Sequence, residues 1–510
     1  LKTLPQPVPP RNPAASPVTF ARLGSRLARG SSLGLAVAST TAALGQAYFD
    51  TRNPFMAPVV PAPPEQPVAT RAGGDFFANE RIPYRPAGFD EGNYNLKLGP
   101  VLVSFGSSVA FIYSSNALLS EGGGENYDLS INPTFSTNLR WQMTDAARLS
   151  LNVGVGYRFN LVQEDLSGLT VDPNTAIDYA FSVGDVLFTV FNRLSTANSA
   201  DQRPDIIGTG NPLAVRFNRI NNSSGLSTEW APYTDLSISA DYTYSMERGL
   251  DDSFDSLNGD SQTVSSAVFH RLHPDLSVGI SASASLNEFS NQFQNSTKTF
   301  GIGPVATWTV SEFITVSASA RYTVINSEQN GQIQDSSDFA GFSGNLAVQH
   351  LINRVLNHSL SVGRGVNGAL GSNFSTSLDA NYQLSWQLTD FIPLNFNVGA
   401  DKTEQSGGLA IFAVPPGSIY LPGDPANGVP PILVTSQGTF TDVVQTPEGL
   451  FGVPTAGQVS HSYRFGVSTG YQISQRLNSS LGWNYVIRDT DFVFGDFAGH
   501  TVTLTLSYQF

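Results

Sequence analysis

The stretch HTVTLTLSYQF, residues 500–510, divides cleanly between two faces. Val502, Leu504, Leu506, Tyr508 and Phe510 share one side. Thr501, Thr503, Thr505, Ser507 and Gln509 share the other. Side chains of a strand alternate across it with period two, so this is a single strand, apolar on one flank and hydroxyl- or amide-bearing on the other. A soluble sandwich would need a second sheet to cover the apolar flank.

The same alternation extends back through the chain. Leu129, Ile131, Phe135, Leu139 and Trp141 are interleaved with Ser130, Asn132, Thr134, Ser136, Asn138 and Arg140. Past a short turn at 143–147, Leu149, Leu151, Val153, Val155, Tyr157 and Phe159 alternate with Ser150, Asn152, Gly154, Gly156, Arg158 and Asn160. Equivalent short turns fall near Pro232, Pro274, Glu312, Arg354, Asp390 and Gln475. A tighter turn at Gly184-Asp185 splits 177–192 into two strands. Longer connections lie near 118–125, 164–174, 197–212, 249–260, 290–296, 327–337, 369–373, 405–458 and 490–496. Membrane barrels of one bacterial chain have even strand numbers with short turns on one side and long loops on the other. The split at Gly184 keeps the count even and the short turns on one side. The reading is an all-β, transmembrane, antiparallel up-and-down β-barrel of about 18 strands, with 16 as the fallback.

The aromatic residues give an independent check. Trp141, Trp230, Trp308 and Trp386 lie close to short turns, whereas Tyr157, Tyr244, Tyr322, Tyr463 and Tyr485 lie toward the long connections. About ten residues at roughly 3.3 Å rise, tilted by about 40°, cover on the order of 25 Å, the height of an apolar band between two aromatic girdles.

A strand that ends on Phe510, with Tyr508 before it and Leu506, Leu504 and Val502 at alternate positions, resembles the closing strand of Gram-negative outer-membrane β-barrels. The resemblance implies an outer-membrane location, contact with membrane lipid, and recognition of these five residues by the barrel-assembly machinery. The opening strands, LKLGPVLVSFGSSVAFIYSSNALLSE with YDLSINPTFSTNLRWQ and RLSLNVGVGYRFNL, are similar to the β-barrel porin type-2 family at Gly99, Pro100, Asn116, Asn132 and Pro133. That likeness implies a role in outer-membrane passage, with a link to exopolysaccharide export.

Composition agrees with a barrel. Charged residues are 13% of the chain against roughly 25% in ordinary soluble domains. Mean hydropathy is −0.08, and no apolar run is long enough for a spanning helix. Cysteine is absent, which removes disulfide and thiol chemistry. The net charge of −14 opposes nucleic-acid binding.

Residues 1–47 read as an export signal peptide: Arg22, Arg26 and Arg29 precede an apolar stretch and small residues at Gly45 and Ala47. Residues 48–93, with PVVPAPPEQPVATRAGG, are too rich in proline for a ladder and read as a periplasmic segment that can meet a periplasmic partner. Residues 94–510 form the barrel, with the connection 405–458 as a long outer loop.

If the apolar set faces lipid, the polar set lines the lumen. An 18-stranded barrel is too wide for Ser, Thr, Asn and Gly to fill, so water or an inserted segment occupies it. Arg140, Arg158, Asp241, Arg321, Asp379, Arg464 and Arg488 fall in the lumen phase, either as an electrostatic track or as ion pairs across the wall. Arg364 and Lys402 fall in the outward phase. The apolar, Pro-rich 405–458 connection either narrows the mouth or packs on itself at the surface.

No catalytic group emerges. The six histidines lack zinc spacing, and the acidic stretch 251–260 lacks the glycine and terminal glutamate of a calcium loop. No cofactor is expected, and the chain is not read as an enzyme. The functional expectation is a porin-like channel for small hydrophilic solutes. The alternatives are an accessory barrel for exporting or anchoring a surface polysaccharide, and a structural barrel with an occluded lumen.

Overall fold

The computed structural model describes residues 94–117, 127–197, 218–250, 255, 258–289, 294–333, 335–369, 371–389, 391–413, 418–423, 429–435, 438–441, 443–445, 450–455, 457–491 and 496–510. The expected signal peptide, the Pro-rich segment up to residue 93 and the loop at 118–125 lie outside the described residues.

Eighteen long strands close into an antiparallel barrel. They are β1 Val101–Ser114, β2 Asp128–Thr144, β3 Ala147–Asn160, β4 Ala176–Val183, β5 Val186–Ala197 and β6 Arg219–Tyr233. These are followed by β7 Leu236–Gly249, β8 Gly259–His273, β9 Leu276–Phe289, β10 Ser296–Ser311, β11 Ile314–Glu328 and β12 Phe339–Asn353. The last six are β13 Leu356–Ala369, β14 Ser372–Thr389, β15 Ile392–Gln405, β16 Val459–Gln472, β17 Leu477–Thr490 and β18 Phe497–Gln509. Each pairs with its sequence neighbours, and β18 returns to β1 from Gly106↔Gln509 to Ser114↔Thr501, which closes the ring.

Two short strands join the same sheet. Leu96–Leu98 folds back on the start of β1, and Gly168–Val171 pairs with the outer half of β3, above the stretch that β4 occupies. Between β4 and β5 the hairpin turn is at Gly184, whose φ of 62° lies in the left-handed region that glycine adopts without a Cβ clash. This turn fixes the even count. The 369–373 connection, grouped above with the longer ones, is tight: Ala369 and Ser372 pair with each other, and Gly371 takes a φ of 79°.

Burial is inverted relative to a soluble protein. On β18, Leu504, Leu506, Tyr508 and Phe510 are 40%, 38%, 39% and 49% exposed, while Thr505 between them is 5% exposed. The same inversion leaves Val264, Val268, Ile280, Ile302, Leu346, Leu360, Leu378 and Leu481 exposed, and buries Ser227, Ser239, Ser265, Ser281, Thr323, Ser375, Thr403 and Ser460. The alternation therefore directs most apolar side chains outward and hydroxyls inward along the wall. Trp141, Trp230, Trp308 and Trp386 all point outward, three residues inside the strand ends Thr144, Tyr233, Ser311 and Thr389.

The 405–458 connection folds on itself into two small sheets. Gly408–Ala413 pairs with Leu450–Thr455, which also pairs with Val444–Gln445; separately, Ile419–Leu421, Ile432–Thr435 and Gly438–Thr441 form a second sheet. Among the described side chains there, Leu409, Leu433 and Val443 are buried apolar ones. The first of these sheets is tied to the rim, where the Leu409 amide donates to the Gly371 carbonyl at 2.7 Å.

Candidate functional site: the barrel lumen

Many inward positions of the wall are small, and several of the large inward side chains lie down against it. Glycines make this possible. Arg321 on β11 crosses β10 at Gly301 and Gly303, where a Cβ on Gly301 would stand 2.5 Å from the Arg321 side chain. The guanidinium then reaches β9 and donates to Ser283 at 3.2 Å and Ser281 at 3.4 Å. Phe269 on β8 lies against Gly279, and Phe191 on β5 against Gly225, in the same manner. Glycine inside a strand commonly marks such a close approach.

The seven charged residues singled out from sequence all fall at inward register positions, but they spread over many strands. Asp241 is buried and held within the wall, where it accepts from the Ser227 hydroxyl at 2.7 Å and the Ser265 hydroxyl at 3.4 Å. Arg140 pairs in register with Leu102 and Ser150, and Arg158 with Gly168. Arg488 is buried, its guanidinium 6.0 Å from the centre of the Phe497 ring.

Asp379 and Arg464 come together around a residue not singled out from sequence. Asp379 stands opposite Asp401 in the β14–β15 ladder, and Arg464 contacts the Asp401 carboxylate at 3.0 Å. The Arg464 side chain is 41% exposed while that of Asp401 is 2% exposed, so the cation is presented to the lumen and its counter-ion is sunk in the wall. Gly363 and Gly399 leave room for the Asp379 and Arg464 side chains.

Further inward charges were missed. Arg148, Asp178 and Arg193 line β3 to β5, where Arg193 lies over the Phe191 ring at 4.9 Å. Arg219 and Glu247 form a fully buried pair at 3.1 Å near the long-loop ends of β6 and β7. With Lys97 and Arg271 added, the cations that register places inward among the described residues are Lys97 and the arginines 140, 148, 158, 193, 219, 271, 321, 464 and 488. The inward carboxylates among the described residues include Asp128, Asp178, Glu229, Asp241, Glu247, Asp379 and Asp401, and Asp172 stands against the inward Gly154. The lining also carries apolar side chains. Phe191, Phe269, Ala267 and Val305 are inward and buried, and the last three form an apolar cluster across β8 to β10. The physical reason is that glycines opposite them let apolar groups lie flat and cover one another.

At the long-loop end a buried polar network ties four connections together. Gln294 donates to the carbonyls of Ala369 and Ser372 at 2.7 and 2.6 Å, and accepts from the Gly371 amide at 2.7 Å. Asn295 donates to Asn373 at 2.9 Å and to the Asp335 carbonyl at 3.0 Å. The Asp335 carboxylate accepts from the amides of Ser337 and Asn373 and from the Ser406 hydroxyl. Among the described residues no group of three His, Cys, Asp or Glu side chains is arranged to hold a metal. His350 and His358 form a pair at 3.0 Å on the outward face.

Fold and wall together define a wide, closed barrel whose exterior is apolar and whose interior is polar and arginine-bearing. Solved structures of similar form come from Pseudomonas aeruginosa. OccK5 (OpdH) is 11% identical, covering 80% of this chain and 98% of that one with a TM-score of 0.42. OprD is 8% identical, covering 80% and 95% at 0.41, and OccK2 (OpdF), solved with glucuronate, is 9% identical, covering 80% and 97% at 0.42. A likeness of this degree leaves the reading of the chain to its own geometry. No protein-family model and no curated protein matches it, so the similarity to the porin type-2 family rests on the residues quoted above.

Proposed function

We propose that the chain is an outer-membrane, porin-like channel that passes small hydrophilic solutes through its lumen. One observation carries this reading: a closed 18-stranded ring turns its apolar side chains outward and its hydroxyls, amides and arginines inward. An apolar exterior of this extent matches hydrocarbon, because a soluble monomer rarely exposes apolar patches beyond a few hundred Å². Strand numbers of 16 to 18 leave an aqueous passage in barrels of this kind. The excess of inward arginines over inward carboxylates supports a preference for anions, since fixed wall charge attracts the opposite sign.

The test is conductance in planar bilayers. The purified chain is expected to need detergent and to give discrete conductance steps with the reversal potential displaced toward that of the anion in a salt gradient. A chain that is freely soluble and monomeric without detergent, or a folded chain that gives no steps, removes the reading.

A further inference from the structure

The outward face is apolar along most of each strand, but one register row near the long-loop end brings several ionic side chains together. Arg364 on β13 pairs with Leu378 on β14, Leu378 with Lys402 on β15, and Lys402 with His461 on β16. All four positions share the outward phase, and Asp489 on β17 continues the row. Toward the short turns, the next outward row is Val362, Ala380, Ala400, Tyr463 and Ile487, and the one beyond is Leu360, Tyr382, Val398, Phe465 and Tyr485. The ions therefore stand at the edge of the apolar band, just beyond the tyrosines on the long-loop side.

Other outward cations near this level are closed by protein carboxylates: Arg248 makes a two-pronged contact with Asp260, and Lys298 pairs with Glu328. Arg364 is exposed and has no side-chain partner among the described residues. Lys402 pairs with Glu404, and an ammonium has three donors, of which that contact takes one. An outward cation costs least at the interface, where a long side chain extends toward the headgroups.

We infer that Arg364 and Lys402 bind the phosphate of a membrane lipid on the long-loop side, across the exposed Leu378. Two strands of separation place the two Cα atoms about 10 Å apart, so long cationic side chains converge on one group between them. The guanidinium fork suits a phosphate's paired oxygens, and the ammonium adds a point charge. Leu378 lies beneath, where the first acyl carbons run, and His461 borders the site on β16. The inference rests on the outward face meeting lipid.

The full-length protein in detergent would be titrated with hexa-acylated diphosphoryl lipid A, its dephosphorylated form and inorganic phosphate, with bound lipid read by native mass spectrometry. The folded protein is expected to prefer the phosphorylated lipid by about tenfold or more. The R364Q/K402Q variant, checked for folding by its heat-dependent gel mobility, should lose that preference, and K402R should keep it. Equal binding of the two lipids by the unaltered protein overturns the inference and needs no variant. Micromolar inorganic phosphate displacing the lipid also overturns it, since the site would then hold a free anion. A preference that survives R364Q/K402Q places the phosphate elsewhere. Solubility without detergent would instead remove the channel reading itself.

Discussion

Glycine is the residue on which the lining of this barrel turns. A Cβ on Gly303 would stand 1.9 Å from the Ala320 carbonyl oxygen, whereas the nearest contact for one on Gly482 is 3.8 Å away. Gly303→Ala is therefore expected to destabilise the barrel by about 1–3 kcal/mol as an overpacked wall site. Gly482→Ala should stay within about 0.5 kcal/mol; urea midpoints of the detergent-folded protein measure both. At Arg464 the effect falls on selectivity. Arg464→Ala removes an exposed lumen cation and leaves Asp401 and the opposing Asp379 as the local charge. Reversal potentials in a salt gradient should then move toward cation preference, and an unchanged value would show that this wall does not set selectivity. On a regular strand, period two alone gives the face that a charged residue takes, since phase follows from alternation. Asp401 was readable in that way, in step with Gly399 and Thr403. The charges on β3 to β5 were harder, because Phe181, Val183, Leu187 and Phe188 blur the two faces there. Which glycine receives which side chain was not legible at all, because the match is made between strands.

At the scale of elements, the seam between first and last strands is completed from outside the barrel count. β18 meets β1 only from Gly106 onward, and below it Leu96–Leu98 covers Val101 to Val103. Asn95 bridges the two parts. Its side chain donates to the Phe510 carbonyl and accepts from the Phe105 amide at 2.6 Å. Asn95→Ala should lower the temperature at which the folded band is lost on a gel, with conductance unchanged. Deleting Phe510 should slow assembly in cells far more than refolding in detergent, if the terminal aromatic is read by the assembly machinery; equal slowing in both would make it a packing residue only. The two sheets of the 405–458 connection make a different prediction. If they narrow the mouth, removal of 410–455 raises single-channel conductance, and an unchanged value assigns them to the surface. The length and apolar character of this connection were visible in the sequence, but its partition into two sheets was not. The rim network was equally hidden, because Gln294, Asn295, Asp335, Asn373 and Ser406 are far apart along the chain and ordinary in type.

For the molecule as a whole, the barrel was legible because a single physical demand shapes every strand: one face meets one solvent and the other face another. Eighteen strands followed from parity once Gly184 was taken as a turn, and the structure has that hairpin. What passes through the lumen was not legible to the same degree, since it depends on a handful of side chains rather than on a repeated rule. One consequence of the seam remains. Because the Asn95 side chain touches Phe510 on the short-turn side, a brief linker could join residue 510 to residue 95 in a barrel made of 95–510 alone, and that barrel could be opened anew between Gly184 and Asp185. Such a circular permutant keeps every ladder pairing yet buries the aromatic carboxy-terminus in mid-sequence. If the terminal aromatic is read by the assembly machinery, it should refold in micelles like its parent and fail to mature in the cell; equal behaviour in both would show that the free terminus is not what the cell reads.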